Sequence, residues 1–337
     1  MISSSNRTDS NLFRTLALLT VLIIYLLVLA GGIVRGTGSG MGCPDWPKCF
    51  GQWIPPTHIS QLPPNYQEIY GAKLKGEVVF NATKTWIEYI NRLLGVLSGF
   101  FVFATLVASV SLIKRNSTLF WGSLAAFLLI GANGWLGSRV VSTELAPFLI
   151  TAHLVLAILV VFALLFVWVR SNRESWALNG ATSEHAKRNI RAIAIVVMVL
   201  TFIQLVLGTE VRDNLDAVVK RIGYGQRESW ISHLNWPFYV HRSYSLLVLA
   251  AHIYLIRAVR KTEQIGALNT TSTLLIALVG IEIATGAIMG YFAVPAFAQP
   301  IHILLAVMLM GIQFVIVLLT FSRNTSVVSR NLSLQSS

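Results

Sequence analysis

The sequence predicts an all-α integral membrane protein, with eight transmembrane helices arranged as two parallel, pseudo-symmetric four-helix bundles. Three observations predict it: an apolar composition, eight apolar runs of bilayer length, and an internal repeat pairing the first four runs with the last four. Of 337 residues, 55% are hydrophobic and 12% charged, with a mean hydropathy of +0.67. A water-soluble domain of this length could not hide that much apolar surface.

Runs near the roughly 20 residues that cross a bilayer fall at about 12–34, 90–113, 119–140, 148–169, 190–211, 237–258, 270–291 and 299–321. The net charge of +12 suggests a nucleic-acid partner, but the basic residues form no patch and sit at span ends. Arg7, Arg14, Lys114, Arg115, the turns at 170–191 and 257–261, Arg323 and Arg330 lie on one side, where acids are few: Asp9, Glu174, Glu184 and Glu263. The positive-inside rule then puts both termini in the cytoplasm. Nucleic acid is excluded as a partner, and the lipid bilayer takes its place. The first run is too long for a removed signal peptide and lacks a small-residue cleavage site, so it stays. A short N-terminus without a transit peptide favours a bacterial plasma membrane over a mitochondrial inner membrane.

Both cysteines, Cys43 and Cys49, lie in the first outer loop, GSGMGCPDWPKCFG. They can pair across a turn holding Pro44 and Pro47 on an oxidising face, or stand as two free thiols. A zinc site would need further ligands that the loop does not supply.

The repeat is legible at four places. The first span ends GGIVRG and the fifth LGTEVRD, aligning Arg35 with Arg212. The second begins EYINRLLG and the sixth FYVHRSYS, aligning Asn91 and Arg92 with His241 and Arg242. IGANGWLG in the third matches VGIEIATG in the seventh, Gly131 and Gly137 falling on Gly280 and Gly286. The fourth and eighth open APFLITAH and VPAFAQPIH, aligning His153 with His302. Four matches in order define an N-terminal half at 1–170, a cytoplasmic linker at 171–189 and a C-terminal half at 190–337, parallel repeats about an axis along the membrane normal.

Ionisable residues inside apolar spans are expensive and mark function. His58, His185 and His233 belong to loops, and His252, three turns deeper than His241, reads as a hydrogen-bonded or interfacial residue. His241 and His302 sit at equal depth on two helices, the arrangement that clamps a b-type haem between two imidazoles. In the first half His153 matches His302, but Asn91 replaces the second imidazole, which suits a guest held from one side. Glu88, one turn outward of Asn91, is a candidate to move protons. Arg92, Arg242, Arg35 and Arg212 are candidates for haem propionates, or else interfacial anchors. Glu210 and Glu282 are polar contacts without an assigned role.

GGIVRGTGSG with GCPDWPKC, the E-x-x-(H)-R helix start and the histidines opening the fourth and eighth spans together resemble the haem A synthase family, over residues 12–321. The resemblance implies an oxidoreductase that converts a methyl group of haem O to a formyl group, giving haem A for terminal oxidases, by two hydroxylations and loss of water. It implies haem b on His241 and His302, haem O at a site with His153 as an axial residue, and a catalytic Glu88. Cys43 and Cys49 match a cysteine pair of many bacterial members. An electron donor, haem O synthase and oxidase assembly factors are the partners it suggests. Asn91 departs from the pattern, which has a fourth histidine there. Three readings stand open: a site working with one imidazole, a substitute ligand such as His58, or a half that has lost catalysis. The rival functions are a non-catalytic b-type haem carrier or assembly factor, and a transporter.

Overall fold

The computed structural model describes residues 4–71, 80–172, 183–262 and 267–321. Glu174, Glu263, Arg323, Arg330 and linker residues 173–182 lie outside them. The chain runs through α1 (Ser4–Gly36), α2 (Tyr66–Gly71), α3 (Ala82–Val110), α4 (Ser117–Ser142), α5 (Pro147–Ser171), α6 (Glu184–Ile222), α7 (Trp236–Arg260), α8 (Ala267–Tyr291) and α9 (Ala298–Leu319). All but the short α2 are long and apolar enough to cross a membrane, which makes eight spans. Among the described residues there is no strand, as a bilayer demands of a chain that does not close into a barrel.

Two helices outrun their predicted spans at the outer end. α3 begins at Ala82 rather than near 90, because the Asn81 side chain caps it by accepting from the Lys84 N–H at 3.0 Å. α6 continues to Ile222 rather than 211, because Leu215 and Val218 are buried with Trp230, Leu234 and Val294. Polar DNLDAVVKRI lacks the run of apolar residues that marks a span, so hydropathy alone ends α6 too early.

The chain forms two compact units, residues 1–164 with 295–304, and 165–294 with 305–337. In the first, α1 packs on α3 and α3 on α4. Gly32 lets α1 approach the start of α9, since a Cβ there would lie 2.8 Å from Pro300 Cα. In the second, α6 packs on α7 and α7 on α8.

One local feature recurs at the spacing of the sequence repeat. Glu144 and Leu145, before α5, have φ of 54° and 64°, and Ala293 and Val294, before α9, both have 53°. The Leu145 N–H donates to Val140 O at 2.9 Å and the Val294 N–H to Met289 O at 3.1 Å, each five residues back. Left-handed backbone costs a non-glycine residue about 1–2 kcal/mol, so each turn needs support from its surroundings. In the second unit Arg227 supplies it. Its Nε–H donates to Ala293 O at 2.8 Å, its terminal nitrogen donates to Val294 O, and its guanidinium lies 5.2 Å from the Trp230 ring. Arg227→Ala strands both carbonyls and should lower unfolding stability in detergent by about 1–3 kcal/mol. Arg227→Lys should recover less than half of that, because an ammonium lacks the planar fork.

Candidate functional site

The outer turns of α3 present Thr85, Glu88, Tyr89 and Arg92 along one stripe, since residues three and four apart share a helical face. That stripe holds the first outer loop. Glu88 is buried at 3% exposure. Its Oε2 accepts the Cys43 N–H at 2.8 Å and its Oε1 pairs with Arg92. Arg92 donates further to Asp45 O at 2.7 Å, Lys48 O at 3.0 Å and Cys43 O at 3.1 Å. Thr85 Oγ1 donates to Gly42 O at 2.8 Å, and Tyr89 OH to Trp53 O at 2.7 Å. Gly42 is required here: a Cβ would stand 2.5 Å from Lys84 O.

Cys43 and Cys49 form a disulfide, with Cα atoms 4.8 Å apart. Asp45 closes the loop inside it, its two carboxylate oxygens accepting from the Phe50 and Gly51 N–H groups at 2.6 and 2.8 Å. Phe50 stacks edge-on with Tyr70 and Phe80. Partial burial, and then the Asp45 carboxylate, push the Tyr70 phenol above its usual range. The fold thus places Arg92, a propionate candidate by its position in the repeat, against the disulfide loop and Glu88.

One turn inward, Asn91 Oδ1 lies 3.9 Å from where a Gly31 Cβ would be. In the second unit His241 meets Gly208, the residue aligned with Gly31; a Cβ on Gly208 would stand 3.3 Å from the imidazole Cε1. His153 meets Gly137 in the same way, at 3.2 Å. Each of these rings is therefore seated on a glycine of a neighbouring helix, and His153, His241 and His302 all fall in the second turn of their helices.

Polar atoms collect around these residues. Asn91 Oδ1, Asn133 Oδ1 and His153 Nδ1 in the first unit, and Gln204 Oε1 and Tyr244 OH in the second, are buried without a hydrogen-bond partner. Gln204 also donates to His241 O at 3.0 Å. Buried polar groups are ordinarily paired, so orphaned atoms beside glycine-seated imidazoles fit pockets completed by another molecule. Haem suits the donor set, neutral nitrogen ligands in apolar surroundings. The sequence pattern alone does not single out Gln204, Tyr244 and Asn133, because the cost of burying charge points only to side chains that are charged or titrate near neutral pH. Their signal is polarity inside an apolar span.

The other candidates are dispersed. Arg212 pairs with Asp216 at 2.7 Å. Exposed Arg242 lies 5.8 and 5.6 Å from the Phe238 and Tyr239 rings. Arg35 is half-buried in the last turn of α1. His58 caps a short 3-10 turn and bonds Ser60 Oγ at 2.9 Å, and His233 bonds Ser229 O at 2.8 Å. His252 is buried and hydrogen-bonded to Val248 O and Gln313.

Eight apolar helices, among them the histidine-bearing α5, α7 and α9, define a polytopic membrane protein. The family described as cytochrome oxidase assembly protein (COX15-CtaA) matches residues 14–314, and the chain belongs to it. Curated relatives carry the name "Heme A synthase". That of Shewanella oneidensis is 25% identical over 264 residues, 77% of this chain and 76% of its own. That of Rickettsia conorii is 24% identical over 331 residues, 89% and 95%. That of Allorhizobium ampelinum is 31% identical over 212 residues, 59% and 56%.

The grip of α3 on the loop has a measurable consequence. Arg92→Met removes the bonds from this side chain to the loop carbonyls and leaves Glu88 a buried carboxylate without its cation, a change that costs about 3–5 kcal/mol. Reduction of Cys43–Cys49 by a membrane-impermeant thiol should then accelerate at least about tenfold, measured by alkylation and mass shift.

Proposed function

We infer that this chain is a haem A synthase, an oxidoreductase that converts a methyl group of haem O to the formyl group of haem A. The observation that carries the reading is the glycine-seated pair His153 and His241, with Asn91 against Gly31 where the repeat would put another imidazole. Family membership and the names of the relatives agree with it.

His241 and His302 hold haem b, which when bound relays electrons between the substrate site and a donor. Helical register supports the pairing. His252 lies eleven residues beyond His241 and Gln313 eleven beyond His302; eleven residues return to nearly the same helical face after three turns. His252 and Gln313 meet at 2.8 Å, so α7 and α9 turn those faces toward one seam. Arg242 and Arg212 serve the propionates of haem b, and Arg35 those of haem O.

In the first half His153 is the axial residue for haem O and Asn91 leaves the opposite side of the iron without an imidazole, which suits a substrate that enters and leaves. Glu88, one turn outward on the same face of α3, handles protons at the reacting methyl group. Arg92 and the Cys43 N–H hold its carboxylate in one orientation, and Arg92 orders the loop above it.

The two halves, 1–170 and 190–337, act as parallel four-helix repeats. The matching contacts at Gly31 and Gly208 and the matching turns at 144–145 and 293–294 support that arrangement. The termini face the cytoplasm of a bacterial plasma membrane. Haem O and haem A are the small-molecule partners, and an electron donor, haem O synthase and oxidase assembly factors are the protein partners.

Reconstituted protein given haem O and a reductant under air should yield the formyl-porphyrin absorption of haem A. Glu88→Gln should lower the rate at least about a hundredfold while haem b content stays unchanged. Normal haem b with no product from the unaltered chain would instead identify a non-catalytic carrier. Asn91→His should add a second low-spin signal when haem O is bound; an unchanged spectrum would remove Asn91 from the iron's axial position.

A further inference from the structure

Three helices of the second unit meet at a buried polar triad that takes no part in the haem chemistry. Thr201 on α6, His252 on α7 and Gln313 on α9 are 4%, 1% and 0% exposed. His252 Nδ1 bonds Val248 O at 2.7 Å, so it carries the proton and leaves Nε2 as an acceptor. The Gln313 amide nitrogen donates one N–H to that Nε2 at 2.8 Å and the other to Thr201 Oγ1 at 2.9 Å. The Thr201 hydroxyl donates in turn to Val197 O at 2.8 Å. Each donor of the triad has a defined acceptor, while Gln313 Oε1 is buried without a partner; the donors hold the triad in one arrangement.

The same three positions in the first half are apolar. By the spacing of the repeat, Thr201 corresponds to Ile24, His252 to Val102 and Gln313 to Leu164, which are 2%, 0% and 0% exposed. Aliphatic side chains therefore fill the equivalent space, and packing alone does not require polarity there. The first half has a polar contact of its own one turn away, Thr20 Oγ1 to Thr105 Oγ1 at 2.8 Å. That contact joins α1 to α3 and does not involve the histidine helix α5.

We propose that Thr201, His252 and Gln313 are positioning residues that lock α7 and α9 in rotation and height, so that His241 and His302 are held as a fixed pair for a resident haem. This rests on the reading of His241 and His302 as haem ligands. Apolar side chains between membrane helices resist sliding and rotation weakly, because lipid tails are as apolar as leucine. A directional hydrogen bond does not tolerate either motion. The triad lies three turns, about 16 Å, below the two histidines, close enough along stiff helices to set their orientation and too far to touch the haem. The half with Ile24, Val102 and Leu164 has no such lock at these positions, as befits a guest that must leave.

The test converts one half to the pattern of the other. Purified His252→Val/Gln313→Leu protein should retain its helicity and bind haem b, but release it to an apo-globin scavenger about tenfold faster, the fold-change that one buried hydrogen bond confers. Its low-spin paramagnetic resonance should shift or broaden, because the relative orientation of the two imidazoles is no longer held. Gln313→Met tests the same loss in a single, volume-conserving change should the double variant misfold. His252→Gln, which restores an acceptor for the Gln313 amide, should return both readouts toward the unaltered protein. Unaltered haem release and an unaltered resonance in both the double variant and Gln313→Met would overturn the proposal. An unaltered chain that holds no bis-imidazole haem would instead overturn the reading of His241 and His302.

Discussion

A side-chain polar atom inside a bilayer has no water to turn to, and this constraint organises the molecule. Where Glu88 and Arg92 are buried, they bond to each other and to loop backbone. Where His252 is buried, Val248 O and the Gln313 amide satisfy its two ring nitrogens. Unpartnered atoms stand at Asn91, Asn133 and His153, and at Gln204 and Tyr244, as they also do at Trp86, Ser123 and the Oε1 of Gln313. Satisfied groups are finished by folding; the orphaned groups beside the candidate histidines are those that a bound molecule would complete.

The outer loop belongs to the first kind. A disulfide closes its ends, Asp45 fills its interior, and α3 grips it from below through Thr85, Glu88, Tyr89 and Arg92. Any motion of the Cys43 backbone is felt by both oxygens of Glu88, directly on one side and through Arg92 on the other. The loop and the proposed catalytic carboxylate thus form one mechanical element, one turn from Asn91.

Glycine does the complementary work of making room. Gly137 and Gly208 admit imidazole rings against the backbone of a neighbouring helix, and Gly31 repeats the arrangement for the smaller amide of Asn91. Two exchanges between aligned positions of the sequence repeat stand out: His241 against Asn91, and a polar triad against an aliphatic one three turns deeper. Under the proposed function, those exchanges suit one permanent occupant and one transient occupant.

Membrane class, span number and the histidine positions were legible in the sequence, because each follows from hydropathy and the cost of an ionisable group in hydrocarbon, both of which are properties of single residues or short runs. The outer extensions of α3 and α6 were not, since Asn81 capping and the burial of Leu215 and Val218 depend on partners outside any apolar run. The cysteines could be read as either paired or free until the loop geometry joined them. Arginine roles were the least legible: charge and position fit propionates or anchors alike, and only the fold sent Arg92 to three loop carbonyls and Arg227 to a strained turn. The sequence by itself determined which groups must find partners. Which partners they found was decided by tertiary structure, because a hydrogen bond depends on distances between segments that sequence order does not encode.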